Sequence, residues 1–453
     1  MLSPTYMYGE INNSYILSLL VADKNHILEF FTLLPTKLII YVIFILISTY
    51  ILIIFRCYLI TKLKTNLILS LLFISHLFFY QPIKLYINDF LTKTIDRTGN
   101  FIIKDLHNIN VAYKGAKTEI KKQHAILKAK AQFKPQTTAT EFDTYVVVVG
   151  ESARRDALHA YGFNIANTPF FDNVPKVQFN NYIAIGGNTL ISLSNMFILN
   201  YHKNSYAGNT VLDLANMAGF KTYWLSNQAE IGLYDSVVSG IGKRANHVHF
   251  LNYESFDPFQ QDIDLLPHAQ QAINQPTTNK KVIFIHLYGS HGPFCNRTKG
   301  KYDEFHVSDD LSCYVQSIKQ TDALLQDIYQ MLQQHKQQTN KEWAMVYFSD
   351  HGLTKNNDDA NLYHGGGFKA NYSVPFVLLN SKLTATSYIN AQRSGFNFFD
   401  FFAKWLGIKD NLLPNNCNFI SEDDCPNSNI VITPDNKEVD YFSLGDEDLN
   451  YFK

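Results

Sequence analysis

The sequence predicts a doubly wound α/β domain with a mainly parallel sheet, preceded by N-terminal transmembrane helices. Two apolar runs near the N-terminus hold no charged residue and are each long enough to cross a bilayer. From Thr144 onward, short apolar runs alternate with helix-length stretches, the pattern of parallel strands joined by helical crossovers. Acids, histidines and glycines sit where those runs stop, and open parallel sheets bind ligands beyond the carboxyl ends of their strands.

Composition narrows the function. The 453 residues are 46% hydrophobic and 17% charged, apolar enough for a large folded core. Thirty-nine basic and 40 acidic side chains leave a net charge of -1. The chain therefore lacks the broad positive field on which non-specific nucleic-acid binding depends, and nucleic acid is not an expected partner.

The first apolar run, Leu38 to Phe55, carries no charge between Lys37 and Arg56. About 18 helical residues at ~1.5 Å each nearly match a ~30 Å hydrocarbon layer. The second, Thr65 to Ile83, lies between Lys64 and Lys84 and places Tyr80 near an end, where an interfacial ring sits. Basic residues in the loop Arg56 to Lys64 are balanced by Lys24, Lys37, Lys84, Lys93 and Arg97 in the outer flanks, so charge does not orient the pair. The expected organisation is an N-terminal segment (1–36), two spans (37–83), a lysine-rich helical connector (84–142) and a catalytic domain (143–453). Four of the five cysteines fall in that last part. Pairing Cys295 with Cys313 and Cys417 with Cys425 is the simplest of three connectivities, with free thiols as the competing reading.

Five runs form the expected sheet: Tyr145 to Val149, Lys221 to Leu225, Val282 to Leu287, Met345 to Phe348 and Ser373 to Leu379. The first four end at Gly150-Glu151, Ser226-Asn227, the neighbourhood of His291, and Ser349-Asp350-His351-Gly352. Glu151 and Asp350 offer hard oxygen ligands and His351 an imidazole, a mixed set suited to zinc, with manganese the alternative. Singly, each has a structural reading, as helix cap, turn cap or core histidine; at successive strand ends they make a site.

The stretch Gly186 to Asn200 opens on Gly-Gly-Asn and then sets Leu193, Met196, Phe197 and Tyr201 at helical spacing. Asn188 is the expected N-cap, placing Thr189 in the first turn, where free amides and the helix dipole favour negative charge. Thr189 is thus both a fourth metal ligand and a candidate nucleophile, against the plainer reading of a helix-start threonine. His291 and His364 lie in glycine-rich loops that permit close approach to a phosphoryl group. His286 sits inside an apolar run and reads as structural. Ser152 lacks the spacing of a nucleophile elbow, Arg154, Arg155 and Asp156 read as a local ion-pair group, and the acidic tail beyond Pro426 is assigned no role.

Six ordered segments carry a family resemblance: VVVVGES at Val146 to Ser152, YGF with NTPFFDN at Tyr161 to Asn173, GGNTLISLSNMF at Gly186 to Phe197, YGSHGPF at Tyr288 to Phe294, YVQSIKQTDALL at Tyr314 to Leu325, and FSDHG at Phe348 to Gly352. Together they resemble the membrane-bound phosphoethanolamine transferases that modify lipopolysaccharide, within the sulfatase and alkaline-phosphatase superfamily. The resemblance implies an alkaline-phosphatase/sulfatase-like catalytic domain in the periplasm, anchored in the lipid bilayer of a bacterial inner membrane. It puts Glu151, Thr189, Asp350 and His351 in the places of ligands to Zn2+ (one ion or two), with Thr189 accepting phosphoethanolamine. His291, His364 and Asn227 take substrate-binding places. The implied donor is phosphatidylethanolamine and the implied acceptor lipopolysaccharide (lipid A or core sugar) or a related periplasmic glycan. Two spans are visible where such proteins usually have five, and Ile185 and Asn195 stand where polymyxin-resistance members have a disulfide pair. A phosphoglycerol transferase and an inactive membrane-anchored scaffold are the alternatives. A sulfatase activity is disfavoured, because no Cys-x-Pro-x-Arg or Ser-x-Pro-x-Arg segment occurs.

Overall fold

The computed structural model describes residues 128–447 apart from 139, 200–207, 231–236, 253–259, 356–361 and 366, with scattered helical positions between 43 and 121. The two expected spans and Cys57 therefore lie outside the described residues, except that Ile43, Phe44, Ile47, Tyr50 and Ile51 are helical and exposed. Among the described residues no helix is long and apolar enough to cross a membrane.

The domain is built on an eight-stranded sheet: β1 (Thr144–Gly150), β2 (Val177–Phe179), β3 (Lys221–Ala229), β4 (His247–Asn252), β5 (Lys281–His286), β6 (Trp343–Ser349), β7 (Phe376–Asn380) and β8 (Ser387–Ile389). Their spatial order is β8-β2-β7-β6-β1-β5-β3-β4. The helices are α1 (Pro169–Asn173), α2 (Thr189–Phe197), α3 (Val211–Met217), α4 (Val237–Gly242), α5 (Leu266–Asn274), α6 (Phe294–Arg297), α7 (Asp309–Thr339) and α8 (Phe398–Trp405).

The central strands are apolar throughout because both sheet faces are covered. Side chains alternate between two layers of core: Tyr145, Val147 and Val149 of β1 pack with α2, α3 and α8, while Val146 and Val148 pack with α1, α5 and α7. Helix α7 is set by Ser308, whose hydroxyl accepts from the Leu311 amide, by Asp309 and Asp310 in its first turn, and by Asn340 in a left-handed conformation at its end.

Strands β1, β3, β5 and β6 are parallel as expected, with Gly150 level with Ser349 and Val149 level with His286, and β4, outside the five expected runs, adds parallel to β3 at the edge. The fifth expected strand is corrected in direction: β7 runs antiparallel to both β6 and β2. Among the described residues between β6 and β7 there is no crossover helix; they form the paired short strands Thr354–Lys355 and Leu362–Tyr363 and a 3-10 turn at Lys369–Asn371. The Gly352 amide donates to the Asn371 carbonyl at 2.8 Å, so the chain is back at the rim where β6 ends when β7 begins, and β7 returns antiparallel.

Two expected boundaries move as well. Strand β3 runs past Leu225 to Ala229, with a register shift after Ser226. The catalytic domain reaches back before residue 143, since Phe133 and Phe142 belong to its core and Gln136–Thr137 pairs with Ile408–Lys409. Both nearest-neighbour disulfides, Cys295–Cys313 and Cys417–Cys425, are formed.

Candidate metal centre and nucleophile

Chain reversal at the rim of the sheet brings the acids together. Glu151 follows β1 and Asp350-His351 follow β6, and these two strands are direct neighbours. Ser152 adopts a left-handed φ of 59°, a conformation that costs energy and is held only where its surroundings over-determine it. Here its hydroxyl donates to Glu151 Oε1 at 2.7 Å and its amide to Asp350 Oδ1 at 3.2 Å. Tyr314 of α7 pins the same turn, its hydroxyl donating to the Ser152 carbonyl at 3.0 Å and accepting from the Arg154 amide at 3.0 Å. Ser152 is thus a support for Glu151, in line with its structural reading.

Helix α2 presents Thr189 to these acids. Asn188 caps it, its side-chain oxygen accepting from the Ile191 amide at 2.9 Å, and Ser192 ties the helix to the opposite strand end through the Asp350 carbonyl at 2.6 Å. Leu193, Met196 and Phe197 are buried as expected, while Tyr201 lies outside the described residues. The Thr189 hydroxyl donates to Glu151 Oε2 at 2.9 Å and lies 3.4 Å from His351 Nε2.

His351 Nδ1 lies 2.8 Å from the Gly352 carbonyl. A carbonyl only accepts, so this nitrogen carries hydrogen and Nε2 is turned inward. Nε2 lies 3.1 Å from Glu151 Oε1 and 3.6 Å from Asp350 Oδ2. One ligand atom from each of Glu151, Asp350 and His351 lies within 4.8 Å of the others. Asp350 Oδ2 is buried without a hydrogen-bond partner.

The buried acids and the imidazole shift one another strongly. Burial, and then the neighbouring Glu151 carboxylate, hold Asp350 well above the usual carboxylate range. Burial opposes charge on Glu151, yet His351, His291 and Asp350 together hold it well below that range. Burial opposes charge on His351, yet Asp350 and Glu151 together raise it to about 9. Two carboxylates, an imidazole and a hydroxyl around an orphaned carboxylate oxygen are a donor set that fits a zinc ion.

The structure brings the expected histidines to the same rim. The His364 ring is 4.9 Å from His351 and 5.9 Å from His291. Burial, then the charge of His351, pushes His364 down to about 4, and its Nδ1 is buried without a hydrogen-bond partner. His286 is buried in β5, its Nδ1 3.3 Å from the Ser226 hydroxyl, and burial lowers it to about 4.

Asn227 lies within β3. Its amide nitrogen donates to Asp262 Oδ1 at 2.8 Å and its carboxamide oxygen accepts from Asn252 at 3.1 Å. Both ends of this buried side chain are engaged with protein, so that it braces Asp262. The acidic tail is corrected. Glu447 accepts from the Lys355 amide at 2.7 Å, from the Thr354 hydroxyl at 3.1 Å and from Arg154 at 3.1 Å. Arg154 pairs with Asp156 at 2.7 Å, as the local ion-pair reading expects, whereas Arg155 turns away to the Tyr182 carbonyl at 3.1 Å.

The profile of the sulfatase family matches residues 143–408, more than half of the chain. The chain belongs to the sulfatase family. Within it, the chain is 41% identical over 290 residues to phosphoethanolamine transferase OpgE of Escherichia coli (strain K12), a match covering 62% of this chain and 54% of that one. It is 26% identical over 287 residues to phosphoethanolamine transferase EptC of the same strain, covering 58% and 49%. The chain thus spans about half the length of these curated relatives. Among solved structures, the C-terminal periplasmic domain of E. coli EptC in complex with Zn superposes with a TM-score of 0.59 at 18% identity, over 70% of this chain and 97% of that one. The integral membrane protein lipooligosaccharide phosphoethanolamine transferase A of Neisseria meningitidis superposes with a TM-score of 0.55 at 16% identity, over 90% and 81%. At such identities the likeness extends to the fold.

Proposed function

We propose that this sulfatase-family protein transfers phosphoethanolamine from phosphatidylethanolamine to lipopolysaccharide (lipid A or core sugar) or a related periplasmic glycan, through a covalent intermediate on Thr189. The observation that carries the reading is the Thr189 hydroxyl at the start of α2, 2.9 Å from Glu151 and 3.4 Å from the inward nitrogen of His351. The names of the curated relatives support the transferred group. Exposed apolar side chains at Ile43, Phe44, Ile47, Tyr50 and Ile51 support a lipid-facing anchor, which would set the domain beside its donor in the periplasm.

Glu151, Thr189, Asp350 and His351 would hold the ion. When bound, zinc would lower the pKa of the threonine hydroxyl and offset charge on the phosphoryl oxygens. Glu151 is the group to which the Thr189 hydroxyl already donates. Thr189 Oγ1 attacks phosphorus and its proton is given up; the bond to diacylglycerol breaks, and the leaving oxygen takes a proton. The product is a phosphodiester joining Thr189 to ethanolamine. The N-terminal amides of α2 would face the incoming phosphate. The acceptor oxygen then attacks the same phosphorus and gives up its proton, the Thr189 Oγ1–phosphorus bond breaks, and Thr189 Oγ1 takes a proton; His291 and His364, on the same rim, would face the equatorial oxygens.

The test is intact-protein mass spectrometry of detergent-extracted wild type and Thr189→Ala, each incubated with zinc and phosphatidylethanolamine. A phosphoethanolamine adduct on the wild type alone is expected. An equal adduct on Thr189→Ala would sink the scheme, and an adduct formed only from phosphatidylglycerol would transfer the assignment to phosphoglycerol.

A further inference from the structure

We infer that Asp262 is a positioning residue for this site, acting through the turn that carries His291. For its effect on turnover the inference rests on the transfer proposed above. Asp262 opens a short 3-10 turn, Asp262–Leu265, outside the sheet and apart from the metal cluster. Its Oδ1 accepts from the Tyr288 amide at 2.8 Å, and its Oδ2 from the Gly289 amide at 2.8 Å. Consecutive amides gripped by the two oxygens of one carboxylate are charge-assisted hydrogen bonds, stronger and more directional than neutral ones.

The gripped turn follows β5 and is pressed on the metal ligand itself. The Ser290 amide donates to the Glu151 carbonyl at 2.9 Å. Gly289 has a φ of +49°, and a Cβ there would lie 2.9 Å from both the backbone nitrogen and the backbone oxygen of Glu151. One residue further on, the His291 amide donates to the Tyr288 carbonyl at 3.2 Å, closing the turn that sets the imidazole on the rim. Asp262 thus fixes one end of a short rigid link whose other faces are Glu151 and His291.

The surroundings hold Asp262 as an anchor. Asn227 donates to it from β3, where the Asn252 carboxamide in turn fixes Asn227. The Arg297 guanidinium lies 4.1 Å over the Tyr288 ring. Burial raises Asp262 above the usual carboxylate range, and the Tyr288 and Gly289 amides, Asn227 and Arg297 act against that rise. Removing the anionic character of Asp262 therefore loosens the turn without touching a metal ligand.

Hydrogen-exchange mass spectrometry on the full chain in detergent, zinc-loaded, tests this directly. In Asp262→Asn the peptide covering residues 287–294 should exchange about tenfold faster, while zinc content stays at the wild-type level. Turnover should fall about 10- to 100-fold with the donor KM little changed. The double variant Asp262→Asn/His291→Ala should be no slower than His291→Ala alone. Asp262→Glu keeps the charge and should fall between wild type and Asn; it carries the same comparison if Asp262→Asn does not fold. Unchanged exchange at residues 287–294, or fully additive losses in the double variant, overturns the inference. Exchange needs no turnover, so a wild type that forms no adduct would sink the proposed transfer and leave the exchange result to decide this one.

Discussion

The carboxylate of Glu447 meets the guanidinium of Arg154 at 3.1 Å across 293 residues of sequence. Arg154 is fully buried, so its charge must be matched where it stands. Glu447 also accepts from the amide of Lys355 and the hydroxyl of Thr354. Glu447 thereby clamps Arg154, on the segment after Glu151, to Thr354 and Lys355 on the chain that leads from His351 towards His364. Glu447→Ala leaves Arg154 with Asp156 as its acidic partner and should cost about 2 to 3 kcal/mol. Urea unfolding reads the loss, and limited proteolysis should show new cleavage within residues 354–363. An unchanged midpoint and digestion pattern would show that the strap is dispensable.

The metal centre yields a prediction of opposite sign for the two states of the protein. Asp350 is buried and sits beside Glu151, and both effects oppose its ionisation. In metal-free protein at neutral pH that ionisation subtracts from stability, because the pKa of this acid is raised on folding. Asp350→Asn should therefore melt at or above the wild type in chelator. Zinc should raise the melting temperature of the wild type, and Asp350→Asn should lose that shift. Differential scanning calorimetry with and without zinc checks both arms; a full zinc shift in Asp350→Asn would remove Asp350 from the ligand set.

Much of this site was legible in the sequence because strand ends and helix caps are local features. Glu151 stands one glycine after the valine run Val146–Val149, Asp350 and His351 follow the apolar run Met345–Phe348 after Ser349, and Asn188 announces the start of α2. The reversed direction of β7 was hidden, since a strand buried on both faces has the same apolar sequence in either direction. Asp262 and Glu447 were hidden for a different cause. Their roles come from contacts made by distant parts of the chain, and an acid in QQDIDLL or in a terminal GDED run carries no local mark of them. The bracing contacts of Asn227 were hidden in the same way, because a polar residue at a strand end is as well placed to brace a neighbouring loop as to touch a ligand.

The disulfides should differ modestly in their contribution. Cys295–Cys313 closes a sequence separation of 18 residues and joins the four-residue α6 to the first turns of α7, while Cys417–Cys425 closes 8. Loop-closure entropy assigns about 3 kcal/mol to the first and about 2.5 kcal/mol to the second. The paired Ala variants Cys295→Ala/Cys313→Ala and Cys417→Ala/Cys425→Ala should each lower the urea midpoint, and reductant should destabilise the wild type towards their combined value. Insensitivity of the wild type to reductant would mean that chain entropy is not what these bridges control.

Asp322 supplies a pH signature that belongs to the fold and not to the metal. It projects from α7 to the start of α1, where its two oxygens accept the amides of Phe170 at 2.7 Å and Phe171 at 3.1 Å. Burial pushes it from 3.8 up to about 6, against the lowering effect of those amides and of Lys176. For an acid raised on folding, the folded state keeps its proton in the window where the unfolded chain has lost it. Between pH 3.8 and about 6 the folded state therefore binds more protons, and this group's contribution to stability falls as pH rises and is level above. The fall across that window amounts to roughly 3 kcal/mol. Asp322→Asn keeps an acceptor oxygen but cannot ionise, so the stability of wild type minus that of the variant should decline from about pH 4 to about pH 6. Urea unfolding of both proteins at several pH values measures this difference. A difference that grows with pH would mean that the helix amides and Lys176 outweigh burial, and that Asp322 acts as an ionised cap on α1.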